Sequence, residues 1–372
     1  MLVRKLDTEN REDVGRFVKF PFDLYRFCAQ WVPPLVSDVR ANLDRRRHPF
    51  YRHSEADFFL AESEGQTLGR LAVMYNRNYN TYQRRNVAFF GFFEAVQDTQ
   101  VVHALFGAAC AWARARGAVE IVGPKGLLGS DGGGVLVDGF EHRPVVGASY
   151  NFPYYDALLQ EVGFEKDRDF FSARVNHDHE LPERFYRAAE RVRKRRGLRV
   201  LSFRSAREMR PWVARVAEAH GLAFSRNYTY YPPTPGEMAL IVNALFRIAD
   251  PRLIKLVLKG NDIAGVVLGL PDVAAGLQRA RGQLWPLGWL HILLEQRRTP
   301  RALLPALGFL PAYRGLGGNA MLYAELARTL AASHYRSVEF VLIDEKNVNS
   351  IREISIFDVR WYKTHRLYRK AL

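Results

Sequence analysis

One plan of secondary structure occurs twice along this chain, and that repeat restricts the possible folds more than any other feature. Residues 56–77 have the pattern of a strand, a glycine turn and a second strand, and residues 251–272 repeat it. Gly65 and Gly69 of the first segment match Gly260 and Gly265 of the second. A similarity that keeps its order over a long span indicates an internal duplication.

The elements that follow the hairpins also correspond. Gly91–Ala95 aligns with Gly308–Ala312, and each is followed by a helical pattern and then an apolar strand, at 119–122 and 338–343. We therefore predict two similar halves, residues 1–175 and 201–372. The polar and then strongly basic helical pattern at residues 176–200 is interpreted as the linker between them.

A glycine-rich turn distinguishes the second half from the first. An apolar strand over residues 303–310 leads into Arg314-Gly315-Leu316-Gly317-Gly318-Asn319, and an amphipathic helix begins after it. Such a turn leaves backbone N–H groups at a helix N-terminus, where they can bind a phosphate. At the corresponding place the first half has Val96-Gln97-Asp98-Thr99. Only the second half is therefore equipped for this kind of binding.

Glycine-rich turns of this kind occur in several classes of protein. Glycines after a strand often form an ordinary turn, because glycine tolerates positive φ. A P-loop is excluded, because no Gly-Lys-Ser/Thr follows. A dinucleotide fingerprint fits poorly, because the glycine spacing differs and no acidic residue ends a second strand about 20 residues later.

The turn resembles the acyl-coenzyme A turn of the GNAT superfamily of N-acetyltransferases. That pattern is Arg/Gln-x-x-Gly-x-Gly/Ala after a strand, with a proline shortly before the arginine; Pro311, Arg314 and Gly317 match it. Asn319 occupies the last position, so the match is imperfect there. The resemblance implies a mixed α/β fold of two tandem GNAT-like domains. Each would have a central, mostly antiparallel sheet flanked by helices.

The whole chain is similar to a group of bacterial proteins with two GNAT-like halves. The resembling segments include FPFDLYRFCAQWVPPL, FFGFFEA, YNFPYYDALLQEVGF and the C-terminal WYKTHRLYRKAL. Some members are connected with N-acylation in bacterial sphingolipid synthesis, a step that resembles ceramide synthesis. This chain departs from the group at Lys125–Asp131, where relatives have polar sequence that contains asparagine.

The resemblance implies a donor site made largely of backbone groups. The thioester would lie along the strand before the turn, with the backbone of Leu307 at the oxyanion position. The remaining expected contacts to acetyl-CoA or a longer acyl-CoA are with Phe309, Leu310, Arg314, Gly315, Leu316, Gly317, Gly318, Asn319 and Asn349. For Leu307 and Phe309 the alternative is simply a core strand, and for Asn349 it is a helix N-cap. No metal is expected.

The groups that move protons are less well defined. Many GNAT enzymes use a tyrosine on the helix after the next strand as the acid, and here that position holds Ile354. Asp344 and Glu345 are candidate bases, with an exposed corner between strand and helix as the alternative. Tyr155 is a candidate acid from the first half, with simple packing as the alternative. His291 and Tyr230 are further candidates.

Charge and apolar patterning suggest partners beyond a small molecule. The chain carries a net charge of +15, with basic clusters at 44–48, 191–199 and the C-terminal end. Solvated helix faces, an anionic membrane surface and an acidic acyl carrier protein remain alternatives. Nucleic acid ranks lowest, because no nucleic-acid-binding motif is present. Residues 282–296 form an aromatic and aliphatic run framed by arginines, which fits either an interfacial segment or a buried strand pair.

From these observations we expect an N-acyltransferase that transfers an acetyl or longer acyl group directly from acyl-CoA to an amine. A lipid or sphingoid amine is one possible acceptor. The alternative is a non-catalytic protein that binds CoA, an acyl chain or a membrane surface on the same scaffold. Two cysteines, no signal peptide pattern and no transmembrane pattern predict a cytoplasmic protein, with peripheral association at the inner membrane as an option.

Overall fold

The computed structural model of the protein describes residues 1–129, 131–176, 181–225 and 227–372. The helices are α1 (Arg11–Leu24), α2 (Val36–Leu43), α3 (Arg77–Gln83), α4 (Thr99–Arg114), α5 (Tyr155–Glu161), α6 (Glu183–Arg196), α7 (Ala206–Met209), α8 (Val213–Phe224), α9 (Pro235–Ile248), α10 (Ala274–Ala280), α11 (Gly288–Arg298), α12 (Gly318–Ala331) and α13 (Val348–Ser355). The strands are β1 (Leu2–Lys5), β2 (Glu55–Ser63), β3 (Gln66–Tyr75), β4 (Val87–Ala95), β5 (Glu120–Gly123), β6 (Val135–Asp138), β7 (Glu165–Asn176), β8 (Leu198–Ser202), β9 (Lys255–Lys259), β10 (Asp262–Pro271), β11 (Arg301–Phe309), β12 (Ser337–Asp344) and β13 (Arg360–Ala371).

The described chain forms two compact units that do not follow chain order throughout. Unit 1 comprises Met1–Phe171, Ala274–Leu293 and Lys363–Leu372; unit 2 comprises Ser172–Val273 and Leu294–Tyr362. Two short segments from the second half of the chain therefore belong to the first unit. Of the predicted linker at 176–200, residues 177–180 lie outside the described residues. The helix that follows them, α6, is not a free linker, because its Phe185 and Val192 pack against α12 within unit 2.

Unit 1 is built on an antiparallel run of strands that ends in one parallel pair. Strands β1, β2, β3 and β4 pair antiparallel in that order, and β4 then pairs parallel with β5. The β5 strand pairs antiparallel with β13, which also pairs with β6. Apolar residues occupy nearly every position of β4, and they pack an aromatic core in which Phe90, Phe106 and Phe164 meet at ring distances of 4.7–5.2 Å.

Unit 2 repeats this topology. Strands β8, β9, β10 and β11 pair antiparallel in order, and β11 then pairs parallel with β12. Between the last two strands, α12 buries Met321, Leu322, Leu326 and Leu330, which are the apolar positions that the sequence pattern assigns to its inner face. The predicted mixed α/β architecture and the predicted duplication are both present.

The structure corrects the alignment of the repeat at one strand. The last parallel pair of unit 1 joins Phe89 to β5, and the last parallel pair of unit 2 joins Leu304 to β12. Two residues further along each strand, Gly91 corresponds to Ala306. The sequence comparison matched Gly91 to Gly308 and was therefore shifted by two residues, because it followed the glycines and not the strand register.

The run at residues 282–296 is also corrected. The expected alternative of a buried strand pair is wrong, because the segment forms a turn followed by α11, and Trp285, Leu287 and Trp289 are exposed. Within the described residues, no helix combines the length and the apolar character needed to cross a membrane.

A buried histidine makes the stability of unit 1 depend on pH. The His365 ring is fully buried, and its Nε2–H donates to the Ser149 carbonyl, while Nδ1 has no partner among the described residues. Burial lowers the pKa of His365 to about 4. The unfolded chain takes up this proton below about pH 6.5, whereas the folded chain takes it up only near pH 4.

We expect His365→Gln, which retains a donor for Ser149, to reduce the acid sensitivity of the protein. Between pH 6.5 and pH 4 only the unfolded protein binds a proton at His365. This should lower the free energy of unfolding of the parent protein by about 3 kcal/mol over that range. Urea titrations at several pH values measure the difference between the two proteins. The exposed His103, changed to Gln, is the control; equal pH dependence in all three proteins would contradict the prediction.

Candidate donor and acceptor site

In unit 2, β11 separates from its parallel partner before it reaches the glycine turn. The ladder between β11 and β12 ends at the pair Leu304–Phe340, whereas pairing of β11 with β10 continues as far as Phe309. Within the described residues, Ala306 to Phe309 therefore have ladder partners in β10 and none in β12. Leu307 and Gly308 in this stretch are half-buried. A strand edge of this kind can pair with an extended ligand through main-chain hydrogen bonds.

The turn after β11 brings the chain to the N-terminus of α12. Gly315 and Gly317 have φ of +74° and +78°, a conformation that glycine adopts without strain, and Gly317 is the N-cap of α12. The N–H groups of Leu316 to Asn319 have no carbonyl one helical turn earlier to accept their bonds. These groups and the helix dipole favour an anion at this position.

Phe309 holds the strand and the helix in register. Its ring lies 2.7 Å from the position that a Cβ on Gly265 of β10 would take, and 2.3 Å from the corresponding position on Gly318. Neither glycine can carry a side chain without displacing the ring. The predicted contact residue Phe309 is thus a core residue whose side chain fixes the geometry, so a ligand would meet its backbone.

Two of the predicted phosphate-site side chains are bonded to the protein itself. The Arg314 guanidinium donates from Nε to the Phe309 carbonyl at 3.1 Å and from Nη2 to the Ala223 carbonyl at 2.9 Å. The Asn319 amide donates to both carboxylate oxygens of Glu353 on α13, at 2.9 and 2.8 Å. Both side chains brace the turn, and the backbone of the turn remains as the anion-binding element.

The helix α8 packs over β11 at the centre of the candidate site. The Phe224 ring lies 3.1 Å from the position that a Cβ on Gly308 would take. One turn earlier on the same face, the His220 ring stacks obliquely on Phe224 with a centroid distance of 4.5 Å. Burial lowers the pKa of His220, so the imidazole is neutral at pH 7 and can accept a proton.

His220 was missed by the sequence analysis. A single histidine within an amphipathic helical pattern carries no local signal of function, and its relevance depends on a contact between α8 and β11 that no sequence spacing shows. The predicted candidate Tyr230 also reaches this helix, because its hydroxyl lies 2.9 Å from the position that a Cβ on Gly221 would take.

The acidic candidates lie where β12 leads into α13. Asp344 ends β12, and its carboxylate accepts the N–H of Lys346, while Glu345 is half-buried in the turn that follows. The N-cap of α13 is Asn347, which accepts the Ser350 N–H, so the alternative proposed for Asn349 falls on the wrong asparagine. Asn349 is exposed on the first turn of α13, and Ile354 is buried in the core of unit 2.

Tyr155 lies in the core of unit 1. Its hydroxyl meets the Glu94 carboxylate at 2.9 Å and the Tyr25 hydroxyl at 3.1 Å, and it accepts the Ala95 N–H. Burial raises the pKa of Glu94 and, well above 10, that of Tyr155. With 1% of its surface exposed, Tyr155 has the contacts of a core residue.

The gap that corresponds to the candidate site is filled in unit 1. After β5 the chain continues along the edge of β4, and the Lys125 N–H donates to the Phe90 carbonyl at 2.9 Å. The Lys125 carbonyl lies 2.1 Å from the position that a Cβ on Gly91 would take. The protein's own backbone therefore occupies the strand edge that unit 2 leaves without a ladder partner.

Comparisons with known proteins agree with this architecture. No family model matches the chain. It is 29% identical over 97% of its length to "Bacterial ceramide synthase" of Caulobacter vibrioides, and covers 95% of that protein. It is 26% identical over 98% of its length to "Protein YghO" of Escherichia coli, and covers 94% of it.

Among solved structures, a tandem GNAT protein from the clavulanic acid biosynthesis pathway matches 100% of this chain and 98% of its own chain. The TM-score is 0.57 at 14% identity. The predicted resemblance is therefore confirmed at the level of the fold, which is that of two tandem GNAT domains.

We expect Gly318→Ala to destabilise unit 2, because the new methyl group would overlap the Phe309 ring. A loss of about 1–3 kcal/mol in the free energy of unfolding is the size that overpacking produces. Adding Phe309→Leu should recover part of it, which denaturant titration will show. Gly107→Ala in α4 is the matched control, because nothing lies within 4 Å of its Cβ position; it should be neutral or slightly stabilising. Equal effects of the two alanines would contradict the role assigned to Phe309.

Proposed function

We propose that this protein is an acyl-CoA-dependent N-acyltransferase that transfers the acyl group directly to an amine. The observation that carries the proposal is the edge of β11 between Leu304 and Phe309, which ends at the glycine turn and the N-terminus of α12. A thioester and its pantetheine arm can extend along that edge while the pyrophosphate meets the N–H groups of the turn. The fold and the sequence relatives support the acyltransferase class.

The backbone around Leu307 would stabilise the negative charge that develops on the thioester oxygen. Main-chain N–H groups at fixed positions on a strand do this without reorganisation, and such donors are among the largest contributions to catalysis. The attack by the amine forms the C–N bond, and collapse of the tetrahedral intermediate breaks the C–S bond. CoA leaves as a thiolate that must be protonated.

His220 is proposed as the base that removes the proton from the attacking amine. An amine acceptor is largely protonated at neutral pH, so it becomes a nucleophile only after deprotonation. The neutral imidazole of His220 lies one helical turn before Phe224, whose ring packs over Gly308. Asp344 and Glu345 at the end of β12 remain proposed alternatives for this role.

The acceptor is proposed to be a lipophilic amine, such as a long-chain amino alcohol. The support is the name of the relative at 29% identity, which is a bacterial ceramide synthase. A CoA donor and two free cysteines fit the cytoplasm as the location. An acyl carrier protein is a second possible donor, since acidic carriers bind basic surfaces.

A non-catalytic binding protein on this scaffold is the second candidate. It is favoured by one observation, the buried Ile354 at the position where many GNAT enzymes carry their acid. The two functions differ in whether bound acyl-CoA is ever consumed.

The deciding experiment is an assay of the purified protein with acetyl-CoA or palmitoyl-CoA and a long-chain amino alcohol. Thiol release and the amide product, identified by mass spectrometry, should appear together. Acyl-CoA that raises the melting temperature without being consumed would support the binding protein instead. No thermal shift and no thiol release would overturn the proposed donor site.

The basic end of α6 is proposed to assist the donor site. The helix runs antiparallel to α12, because Phe185 meets Tyr323 whereas Val192 approaches Gly317. Arg195 and Arg196 follow Val192 by one helical turn and are exposed. They therefore extend past the N-terminus of α12, on the side where phosphates would bind.

We expect Arg195→Glu/Arg196→Glu to weaken CoA binding by at least about tenfold, because the attraction to phosphate becomes repulsion. Isothermal titration calorimetry measures the affinity. Arg184→Glu/Arg187→Glu is the matched control, since it makes the same change of charge about 13–16 Å away along α6. Equal losses in both variants would mean that net charge alone is responsible.

We expect His220→Gln to lower kcat by about 100-fold, as loss of a general base does. Because its pKa lies below 6.5, the parent should keep full kcat at pH 7 and lose it only as the pH falls below 6.5 and the imidazole is protonated. The variant should lack that acid limb. His103→Gln, on the exposed face of α4, should leave kcat and its pH profile unchanged, and a His220→Gln variant with parental kcat would rule out this base.

A further inference from the structure

Two segments that are distant in sequence form one surface of unit 1. The segment Tyr25–Val36 follows α1, and the segment Ala274–Leu293 contains α10 and the start of α11. The Gln278 amide donates to the carbonyls of Ala29 and Trp31 at 3.0 and 2.8 Å, and the Val36 N–H donates to the Gly282 carbonyl at 2.9 Å. These bonds hold the two segments side by side.

Large apolar side chains project from this surface. Phe27 is 92% exposed on the first segment, and Trp285, Leu287 and Trp289 are 81%, 60% and 47% exposed on the second. Single exposed apolar residues are common on protein surfaces, whereas two tryptophans, a leucine and a phenylalanine on adjoining segments are not. We call these four residues the aromatic patch.

The backbone beneath the patch is well ordered by specific contacts, so the exposure is a property of the fold. Gly282 fits closely, because a Cβ there would lie 2.6 Å from the Pro34 carbonyl and 2.8 Å from the Phe22 ring. The Trp289 indole N–H donates to the Pro286 carbonyl at 3.1 Å. With that bond made internally, the ring can leave water without losing a hydrogen bond.

All the fully charged residues of the two segments are basic. They are Arg26, Arg279 and Arg281, and neither segment contains an aspartate or a glutamate. All three arginines are exposed, and the Arg26 guanidinium lies 5.4 Å from the centre of the Phe27 ring. Exposed tryptophans beside arginines match the border between acyl chains and anionic headgroups, where aromatic rings and cations are both favoured.

We propose that the aromatic patch docks unit 1 on an anionic membrane surface. Trp285, Leu287, Trp289 and Phe27 enter the headgroup and acyl boundary, while the three arginines contact lipid phosphates. The proposal deepens the proposed function, because a lipophilic amine or acyl donor would be reached at the membrane. It can be tested separately, because vesicle binding needs neither CoA nor turnover.

The test is cosedimentation of the full chain with vesicles of phosphatidylglycerol and phosphatidylcholine, without CoA. Trp285→Ser/Trp289→Ser should weaken binding by at least about tenfold, because the transfer of the two rings out of water is lost. Trp361→Ser, which removes a tryptophan that is 36% exposed outside the patch, should bind as the parent does. Melting temperatures check that the variants retain the fold, and they should equal that of the parent because the replaced residues are exposed.

Varying the lipid composition and the salt concentration shows whether charge contributes to vesicle binding. Binding should be weaker to vesicles of phosphatidylcholine alone and should fall as salt rises, because the arginines act through screened charges. Parental binding by the patch variant would overturn the proposal, as would a parent that does not bind anionic vesicles. Binding of an acyl carrier protein that is lost in the patch variant, without vesicle binding, would also overturn it and assign the patch to a protein partner.

Discussion

The position of the Phe309 ring between Gly265 and Gly318 is the contact on which the candidate site depends. The ring ties the end of β11 to β10 on one side and to the first turn of α12 on the other. A strand and a helix start connected by several glycines would otherwise be free to move relative to each other. Because the ring fills this space, the N–H groups of the turn are held at the end of the strand edge that would carry a thioester. The donors are thus preorganised by packing.

The contrast between the units shows what makes such a site. Both have the same strand order, and both have a parallel pair that ends where the strands diverge. In unit 1 the diverging edge is taken by the Lys125 backbone against Gly91, while the helix that follows is capped by the Asp98 side chain. The Phe90 carbonyl at the strand edge and the Gln100 N–H at the helix start thus have partners within the chain. Duplication therefore supplies the scaffold twice, and among the described residues it is the strand edge of unit 2 that has no ladder partner.

Local sequence patterns predicted the individual strands and turns well, but they did not predict which segments pack together. The two hairpins at 56–77 and 251–272 follow from strand patterns joined by glycine turns. Residues 274–293 belong to unit 1 because of hydrogen bonds between positions far apart in sequence. One example is the bond from the Gln278 amide to the Trp31 carbonyl. Likewise, the glycines predict an anion-binding turn, but nothing local shows that Arg314 is bonded to the Phe309 and Ala223 carbonyls. Contacts between residues far apart in sequence therefore decide which polar groups remain available to bind a ligand.

A site of the proposed kind, made of backbone donors and one neutral base, would place few demands on side-chain identity. The N–H groups of a strand and a helix N-terminus are the same whatever residues carry them, provided that the glycines leave room for the packing ring. Burial keeps His220 uncharged, so no countercharge has to be provided beside it. Sequences with such a site could therefore diverge widely while the fold persists. The match over the full chain at 14% identity concerns that fold alone. In such a protein, the glycines that leave room for the packing ring are the positions that identify the site. The side chains that bind the acceptor can then vary with the chemistry of that acceptor.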